Sequence, residues 1–234
     1  MNCEVQVGFG LAADPVLPRR DDLLDDAIVA GRLGALLQPA WGDDLARECT
    51  RIRAKYRPGE SLRATYRVGN GTSSLLVSGR MFREGAVAGQ FARARKAAVD
   101  QGGDPGSVLL DEETSTVFWV FPQDRKLRGL AELTSPPPEL RTVFGRPWVR
   151  SELMAYTPEK AATVRCADEV GRAVGFAKVQ AGDDGERSVA TLRAAGQDVS
   201  DHGALRLPRA VGYLPERHMA LFTVAPGRPG AQRA

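Results

Sequence analysis

The feature of this sequence that most limits what it can fold into is an internal repeat with a period of about 100 residues. Residues 52–59 read IRAKYRPG and residues 152–159 read ELMAYTPE, which places a tyrosine and a proline at matching positions. Three more pairs of blocks follow in the same order: 62–68 with 161–166, 75–82 with 173–180, and 107–122 with 210–226. An ordered set of this kind indicates a duplicated unit. The alternative is a pair of unrelated α+β domains, since strands share a composition wherever they occur.

Each copy has the periodicity of three strands, a helix and two strands. In 51–57, four basic residues alternate with Ile52, Ala54 and Tyr56, and this period of two predicts a half-buried strand. Apolar residues at spacings of three and four predict an amphipathic helix over 84–99, after the third strand. We therefore predict an α+β fold of two tandem units, each an antiparallel five-stranded sheet with one helix.

The rest of the chain is assigned to flanking segments. Apolar residues with a helical period predict a lead-in helix over 22–37, with Asp21 as its N-cap. A short helix is predicted over 124–133, and the three prolines at 136–138 cannot continue it. The predicted organisation is a lead-in at 1–47, a first repeat at 48–134, a linker at 135–146, a second repeat at 147–228 and a frayed tail at 229–234.

Composition excludes several classes of protein. Charged residues make up 26% and hydrophobic residues 43% of the chain, which is the balance of a globular protein rather than a disordered one. The formal net charge of +3 is too small to indicate a nucleic-acid or membrane-surface partner. Two histidines and three widely spaced cysteines give no metal-site spacing, and no apolar stretch is long enough to cross a bilayer. We therefore expect a cytoplasmic protein with no nucleic-acid partner, no membrane partner and no metal ligands.

Five antiparallel strands with a helix between the third and fourth resemble the small lobe of kinase-like enzymes. The second copy is similar to the N-terminal lobe of the aminoglycoside/choline-kinase-like phosphotransferase family, through VGFAKVQ at 174–180, ERSVATLRAA at 186–195 and GYLPERHMALFTVAPG at 212–227. The first copy resembles a degenerate lobe that precedes it in bacterial members, through KYRPGESLRATYRV at 55–68 and FWVFPQDRKLRGL at 118–130. The resemblance covers about residues 48–228.

The resemblance implies a nucleotide site in the second copy. Lys178 would match the strand lysine that holds the α and β phosphates of ATP, and a lysine is an unusual choice in a chain with five lysines and 27 arginines. The alternative is a snorkelling surface lysine at a strand edge. Glu186 would match the acidic partner of that lysine. The alternative is that Glu186 is only a carboxylate favoured by the dipole at the start of the helix. Asp183 and Asp184 are then the rival candidates for the acidic partner of Lys178.

The end of the second copy would match the hinge that binds adenine. The backbone around Phe222, Thr223 and Val224 would hydrogen-bond the base, and Phe176 lies two residues before Lys178 on the same strand face, where it could contact the base. Phe176 is equally compatible with a simple core position. ATP is the implied cofactor, with Mg²⁺ expected in a full-length enzyme.

The sequence departs from the family in three respects. Arg80 stands where the second copy has Lys178, so we expect the first copy to bind no nucleotide and to act as a structural cap or a substrate-side wall. The turn over 157–161 has no glycine that would cover phosphates. The large-lobe motif of His-Gly-Asp followed by Asn and Asp has no counterpart, so we assign no catalytic residue and no metal ligand.

Together these features predict the N-terminal, nucleotide-binding part of an ATP-dependent small-molecule phosphotransferase, a kinase acting on a hydroxyl group, truncated and inactive as it stands. Its partners would be a nucleotide and, in a full-length enzyme, a small molecule with a hydroxyl group. The alternative is a non-catalytic regulatory module with a kinase-like fold that binds a nucleotide or a protein.

Overall fold

The computed structural model describes residues 11–41, 48–71, 73–198 and 209–223. The helices in these ranges are α1 (Asp26–Trp41), α2 (Val87–Asp100), α3 (Leu130–Thr134) and α4 (Asp184–Asp198). The strands are β1 (Glu48–Arg57), β2 (Ser61–Gly69), β3 (Ser74–Met81), β4 (Val108–Asp111), β5 (Thr116–Val120), β6 (Arg150–Thr157), β7 (Ala161–Ala167), β8 (Ala173–Gln180), β9 (Arg209–Leu214) and β10 (Met219–Thr223).

The strands form two antiparallel five-stranded sheets with the same strand order. The orders are β1-β2-β3-β5-β4 and β6-β7-β8-β10-β9, with α2 and α4 following the third strand of each sheet. The predicted α+β class and its two five-stranded sheets are confirmed. The register also agrees with the sequence repeat, because Arg63 pairs with Arg80 in the first sheet and Thr163 pairs with Lys178 in the second.

The chain divides into two compact units, each built around one sheet. The first comprises residues 1–91 and 109–119, and the second comprises 92–108 and 120–234. The sequence pattern predicts that residues 124–134 belong to the first repeat and that residues 135–146 form a linker. In the structure, side chains from this stretch belong to the core of the second unit. The physical reason is that an apolar sheet face needs a cover, and the segment before β6 supplies it.

A segment on the N-terminal side of the strands covers one face of the first sheet. Leu17 and Leu23 are fully buried and pack against Leu62 of β2 and Met81 of β3. The buried Tyr66 hydroxyl donates a hydrogen bond to the Leu23 carbonyl, which ties the short 3-10 helix over Arg20–Leu24 to the sheet.

The second sheet has an equivalent cover, offset by 110 residues from the first. Leu127 and Leu133 are fully buried and lie in one core with Ala162 of β7 and Val179 of β8. The same core includes Leu130, Leu140 and Trp148. The duplicated unit therefore begins with a covering segment that precedes its first strand.

A carboxylate holds each covering segment to the turn between the first two strands. In the first unit, Oδ2 of Asp14 accepts hydrogen bonds from the Tyr56 hydroxyl at 2.6 Å and from the Gly59 backbone N–H at 2.9 Å. In the second unit, Oδ2 of Asp124 accepts from the Tyr156 hydroxyl at 2.9 Å and from the Glu159 N–H at 2.8 Å. The repeated tyrosine found in the sequence thus has the same hydrogen-bonding partner in both copies.

The start of the lead-in helix differs from the prediction. The Asp25 carboxylate accepts hydrogen bonds from the N–H groups of Ala27 and Ile28 at 2.9 and 3.1 Å, so Asp25 is the N-cap of α1 and the assignment to Asp21 is wrong. The Asp21 side chain instead pairs with the buried Arg20 guanidinium.

Candidate functional site

Lys178 lies on the face of the second sheet that α4 covers. In the ladder it is opposite Thr163 of β7 and Ala220 of β10, so these three side chains share a face. On that face Val189 of α4 packs with Ala220 and Phe222. The neighbouring residues Ala177 and Val179 point to the opposite face and lie in the core under Leu127 and Leu133. Strand alternation thus separates the half-buried lysine from the main core.

A cavity of about 560 Å³ lies beside Lys178. Its lining comes from β8, α4 and β10 and consists of Lys178, Gln180, Asp184, Arg187, Ser188, Thr191 and Phe222. The positions from α4 are three or four residues apart, which puts them on one face of the helix. The cavity therefore has two cations, one carboxylate, three neutral polar groups and one aromatic ring.

Local hydrogen bonds fix the polar side of this cavity. The Arg187 guanidinium forms an ion pair with the Asp184 carboxylate. The Ser188 hydroxyl contacts the Asp184 carbonyl at 2.8 Å and Oε1 of Gln180 at 3.2 Å. Within the described part of the chain, the Lys178 ammonium forms no ion pair. A lysine in this position can act as a point charge toward a bound anion.

The structure does not bring Glu186 to Lys178. Glu186 is exposed and is not among the residues that line the cavity. It lies nearer Tyr213, whose pKa is raised by burial and by the negative charges of Glu186 and Asp183. Asp184, which the sequence analysis kept as a rival partner, is the acidic residue that lines the Lys178 cavity.

The aromatic residues assigned to the base lie together on this sheet. Phe176 of β8 is directly opposite Phe222 of β10, and both pack with Val189. Thr223 is half-buried and pairs with Arg209 of β9. Val224 lies outside the described residues. Phe222 lines the cavity, whereas Phe176 does not.

Four lining residues were missed by the sequence analysis: Gln180, Arg187, Ser188 and Thr191. The available signal was their spacing. Gln180 follows Lys178 by two residues on one strand face, while Ser188 and Thr191 follow Asp184 by four and seven residues on one helix face. These spacings identify shared faces, but the contact of the two faces is a tertiary feature.

The β6–β7 turn, which lacks glycine, is held by a buried acidic residue. Glu159 has a left-handed φ of 58°, although a non-glycine residue rarely adopts this conformation. Its backbone N–H donates to Asp124, and its carboxylate forms an ion pair with Arg125. These contacts keep the Glu159 side chain buried within the unit.

In the first unit, Arg80 occupies the ladder position of Lys178. Its guanidinium lies over the Phe82 ring, 4.8 Å from the centroid. The residue opposite Arg80 on β2 is Arg63, whereas the second unit has Thr163 at that position. At this level of the ladder the first unit therefore has two adjacent cations and the second unit has one.

No family model matches the chain, and no curated protein or solved structure was found to be similar to it. Among the described residues there is no group of three or more His, Cys, Asp or Glu side chains placed to hold a metal ion. None of the helices described above is both long enough and apolar enough to cross a membrane.

Proposed function

We propose that the second unit binds ATP at the Lys178 cavity, as the nucleotide-binding part of an ATP-dependent phosphotransferase that acts on a small-molecule hydroxyl group. The observation that carries the proposal is the convergence of Lys178, Arg187 and Phe222 on one cavity of about 560 Å³. The cavity is widely open to solvent, so a bound nucleotide would remain partly exposed.

The polar side of the cavity suits phosphate groups. The Lys178 ammonium would contact the phosphates as a compact charge, and the Arg187 guanidinium, oriented by Asp184, would add planar N–H donors. Ser188 and Thr191 place hydroxyl groups on the same wall. The single lining carboxylate is already paired with Arg187, so its repulsion of a bound anion is reduced.

The apolar side suits a nucleobase. Phe222 presents an aromatic ring to the cavity, and aromatic rings stack on bases of any sequence. The backbone of Thr223, which in the described register pairs with β9 but not with β8, would form the hydrogen bonds to the adenine edge. Phe176 lies beside Phe222 on the same face of the sheet, since the two are paired in the ladder, and would pack against it.

The test is a calorimetric titration of the 234-residue chain with Mg-ATP, Mg-ADP and AMP. We expect Lys178→Gln to weaken ATP binding by about tenfold or more, because a hydrogen bond to a charged group contributes roughly 1.5–3 kcal/mol. Lys126→Gln is the matched control, since Lys126 is exposed and outside the cavity lining. Equal loss in both variants, or equal affinity for AMP and ATP, would contradict the proposal.

A non-catalytic nucleotide-binding module is the second candidate. It is favoured by the β6–β7 turn, in which Glu159 is ion-paired and buried rather than arranged as a flexible glycine-rich cover. Both candidates bind ATP, and we expect no ADP release from the 234-residue chain in either case, because no catalytic residue is assigned to it. Release of ADP that depends on a sugar, aminoglycoside or amino-alcohol acceptor would contradict the non-catalytic candidate.

A further inference from the structure

A second cavity, of about 440 Å³, lies within the second unit and is more enclosed than the Lys178 cavity. Its walls are the end of α2, the segment that leads into α3, α3 itself and the short 3-10 helix over Pro215–Arg217. Three guanidinium groups and three carboxylates line it: Arg125, Arg128, Arg217, Asp100, Glu132 and Glu216. Because these formal charges cancel, the cavity suits a ligand without net charge better than an anion or a cation.

Four of these six charged groups already have partners within the protein. The Arg125 guanidinium is paired with a carboxylate that is itself buried, and the other pairs join neighbouring parts of the wall. The pairs are Arg125–Glu159, Arg217–Glu132 and Lys96–Asp100. These contacts hold the wall in place and leave the four groups less available to a ligand.

Arg128 and Glu216 are the remaining two charged groups, and neither forms an ion pair within the described part of the chain. They flank a close approach of two backbones, because a Cβ atom added to Gly129 would lie 2.8 Å from the Arg217 carbonyl oxygen. Arg128 directly precedes Gly129, and Glu216 directly precedes Arg217. A cation and a carboxylate thus stand near one point of the wall without pairing with each other. Such a pair is complementary to a ligand that has both a carboxylate and an ammonium group.

A half-buried amide also lines this cavity. The Gln123 side chain lies so close to Gly103 that a Cβ atom added there would overlap its amide group, so the glycine leaves room for Gln123. Among the described residues, the Gln123 side chain has no hydrogen-bond partner. A primary amide has two N–H donors and one oxygen acceptor, so Gln123 can bind a neutral polar group of a ligand.

We propose that this cavity binds a free α-amino acid with a polar, uncharged side chain. The Arg128 guanidinium holds the α-carboxylate through two parallel N–H donors, and the Glu216 carboxylate accepts hydrogen bonds from the α-ammonium group. The Gln123 amide meets the amide or hydroxyl of the ligand's side chain. This site shares no lining residue with the Lys178 cavity, so it does not rest on the proposed binding of ATP.

Calorimetric titration of the full chain with L-glutamine tests the site, together with two blocked analogues. L-Glutaminamide lacks the α-carboxylate and N-acetyl-L-glutamine lacks the ammonium group, so each should bind at least about tenfold more weakly than L-glutamine. Arg128→Gln and Glu216→Gln should each weaken L-glutamine binding by about tenfold. Both residues are exposed, so their replacement leaves the core intact. The matched controls are Arg146→Gln and Glu169→Gln, two exposed charges outside the cavity lining.

Cross-comparisons assign each charge to its part of the ligand. In the Arg128→Gln chain, L-glutamine and L-glutaminamide should bind alike, because the carboxylate has lost its partner. In the Glu216→Gln chain, L-glutamine and N-acetyl-L-glutamine should bind alike for the corresponding reason. A preference for L-glutamine that stays unchanged in both variants overturns the proposal, as does an equal loss of affinity in the control variants.

The same titrations in a Lys178→Gln chain separate this site from the ATP site. L-Glutamine binding that persists there supports the proposal, whether or not ATP binds the second unit. Loss of that binding would move the ligand to the Lys178 cavity and overturn the proposal. Absence of L-glutamine binding to the unaltered chain at millimolar concentration overturns it as well, and leaves the proposed ATP site unaffected.

Discussion

Asp14 and Asp124 accept hydrogen bonds from equivalent groups, yet their pKa values are displaced in opposite directions. Hydrogen bonds from the Tyr56 hydroxyl and the Gly59 N–H lower the pKa of Asp14 to about 2. Burial raises the pKa of Asp124, and the charge of Glu159 acts in the same direction. The turn residue that is Gly59 in one copy and Glu159 in the other accounts for part of this difference.

The Asp124 carboxylate should be important for the stability of the second unit. We expect Asp124→Asn to destabilise the protein by about 1–3 kcal/mol. The Asp124 oxygens accept hydrogen bonds from the Tyr156 hydroxyl and from the N–H groups of Glu159 and Lys126, and the NH₂ group of asparagine would face at least one of these donors. Urea unfolding at pH 7 measures the change. Asp100→Asn, at an exposed helical position, should alter the midpoint only slightly.

Asp14 should make the protein sensitive to acid. Its folded-state pKa of about 2 lies below the ordinary value of 3.8, so its contribution to stability is complete above about pH 5 and declines as the pH falls toward 2. The difference in unfolding free energy between wild type and Asp14→Asn should shrink over that interval. A difference that stays constant from pH 5 to pH 2.5 would contradict the assignment.

Asp124 should show the opposite trend. Its folded-state pKa is raised, so protonation favours the folded state, and the advantage present below pH 4 is lost as the pH rises through the folded pKa. The stability of wild type relative to Asp124→Asn should therefore decrease as the pH rises from 4. The two variants, measured in the same buffers, serve as controls for each other.

Gly79 should tolerate no side chain. In Gly79→Ala the new Cβ would lie 2.6 Å from the Phe118 ring in a tightly packed sheet face, and we expect a loss of about 1–3 kcal/mol from overpacking. Gly89→Ala is the matched control on α2, where an added Cβ meets no atom within 4 Å. The control should be neutral or slightly stabilising, since alanine favours helix. Thermal unfolding of both variants distinguishes the effects.

The covering segment before β6 should be indispensable to the second unit. Leu133→Ala removes a fully buried side chain from the core under β7 and β8, so we expect a loss of about 2–5 kcal/mol. Leu153→Ala, at an exposed position of β6, should change the stability much less. Similar unfolding midpoints for the two variants would mean that the segment is not part of the folded core.

The strands were predictable because the alternation of polar and apolar residues is a local pattern. The covering segments were not predictable as covers. The period of two around Tyr56 and the match of Arg80 with Lys178 gave both the sheets and their equivalent register. The covering segments share little beyond an aspartate and two leucines, Asp14, Leu17 and Leu23 in one copy. These residues have no recognisable period, and they form a cover only through contacts with strands about 40 residues away in the sequence.

The residues of the candidate site on the strands could be predicted from the sequence, but the residue Arg187 on α4 could not. Lys178 and Phe222 were identified from the resemblance and line one cavity. Arg187 was not identified, because its place in the cavity depends on how α4 is rotated about its own axis. The same rotation keeps Glu186 away from the cavity and brings Asp184 to it. A sequence pattern gives the faces of a helix but not which face meets a particular strand.

The covers of the two sheets are not interchangeable, despite their equal spacing. Arg20 and Leu130 stand at the same offset of 110 and both are buried. Arg20 donates to the Tyr56 hydroxyl and to the Ala12 carbonyl, whereas Leu130 lies among leucines and Trp148. A chain with the segments exchanged would lose the Arg20 donor to Tyr56 on the first sheet and would bring a guanidinium, still paired with Asp21, to a position that Leu130 fills among leucines and Trp148. The buried charge at this position is therefore specific to the cover of the first sheet.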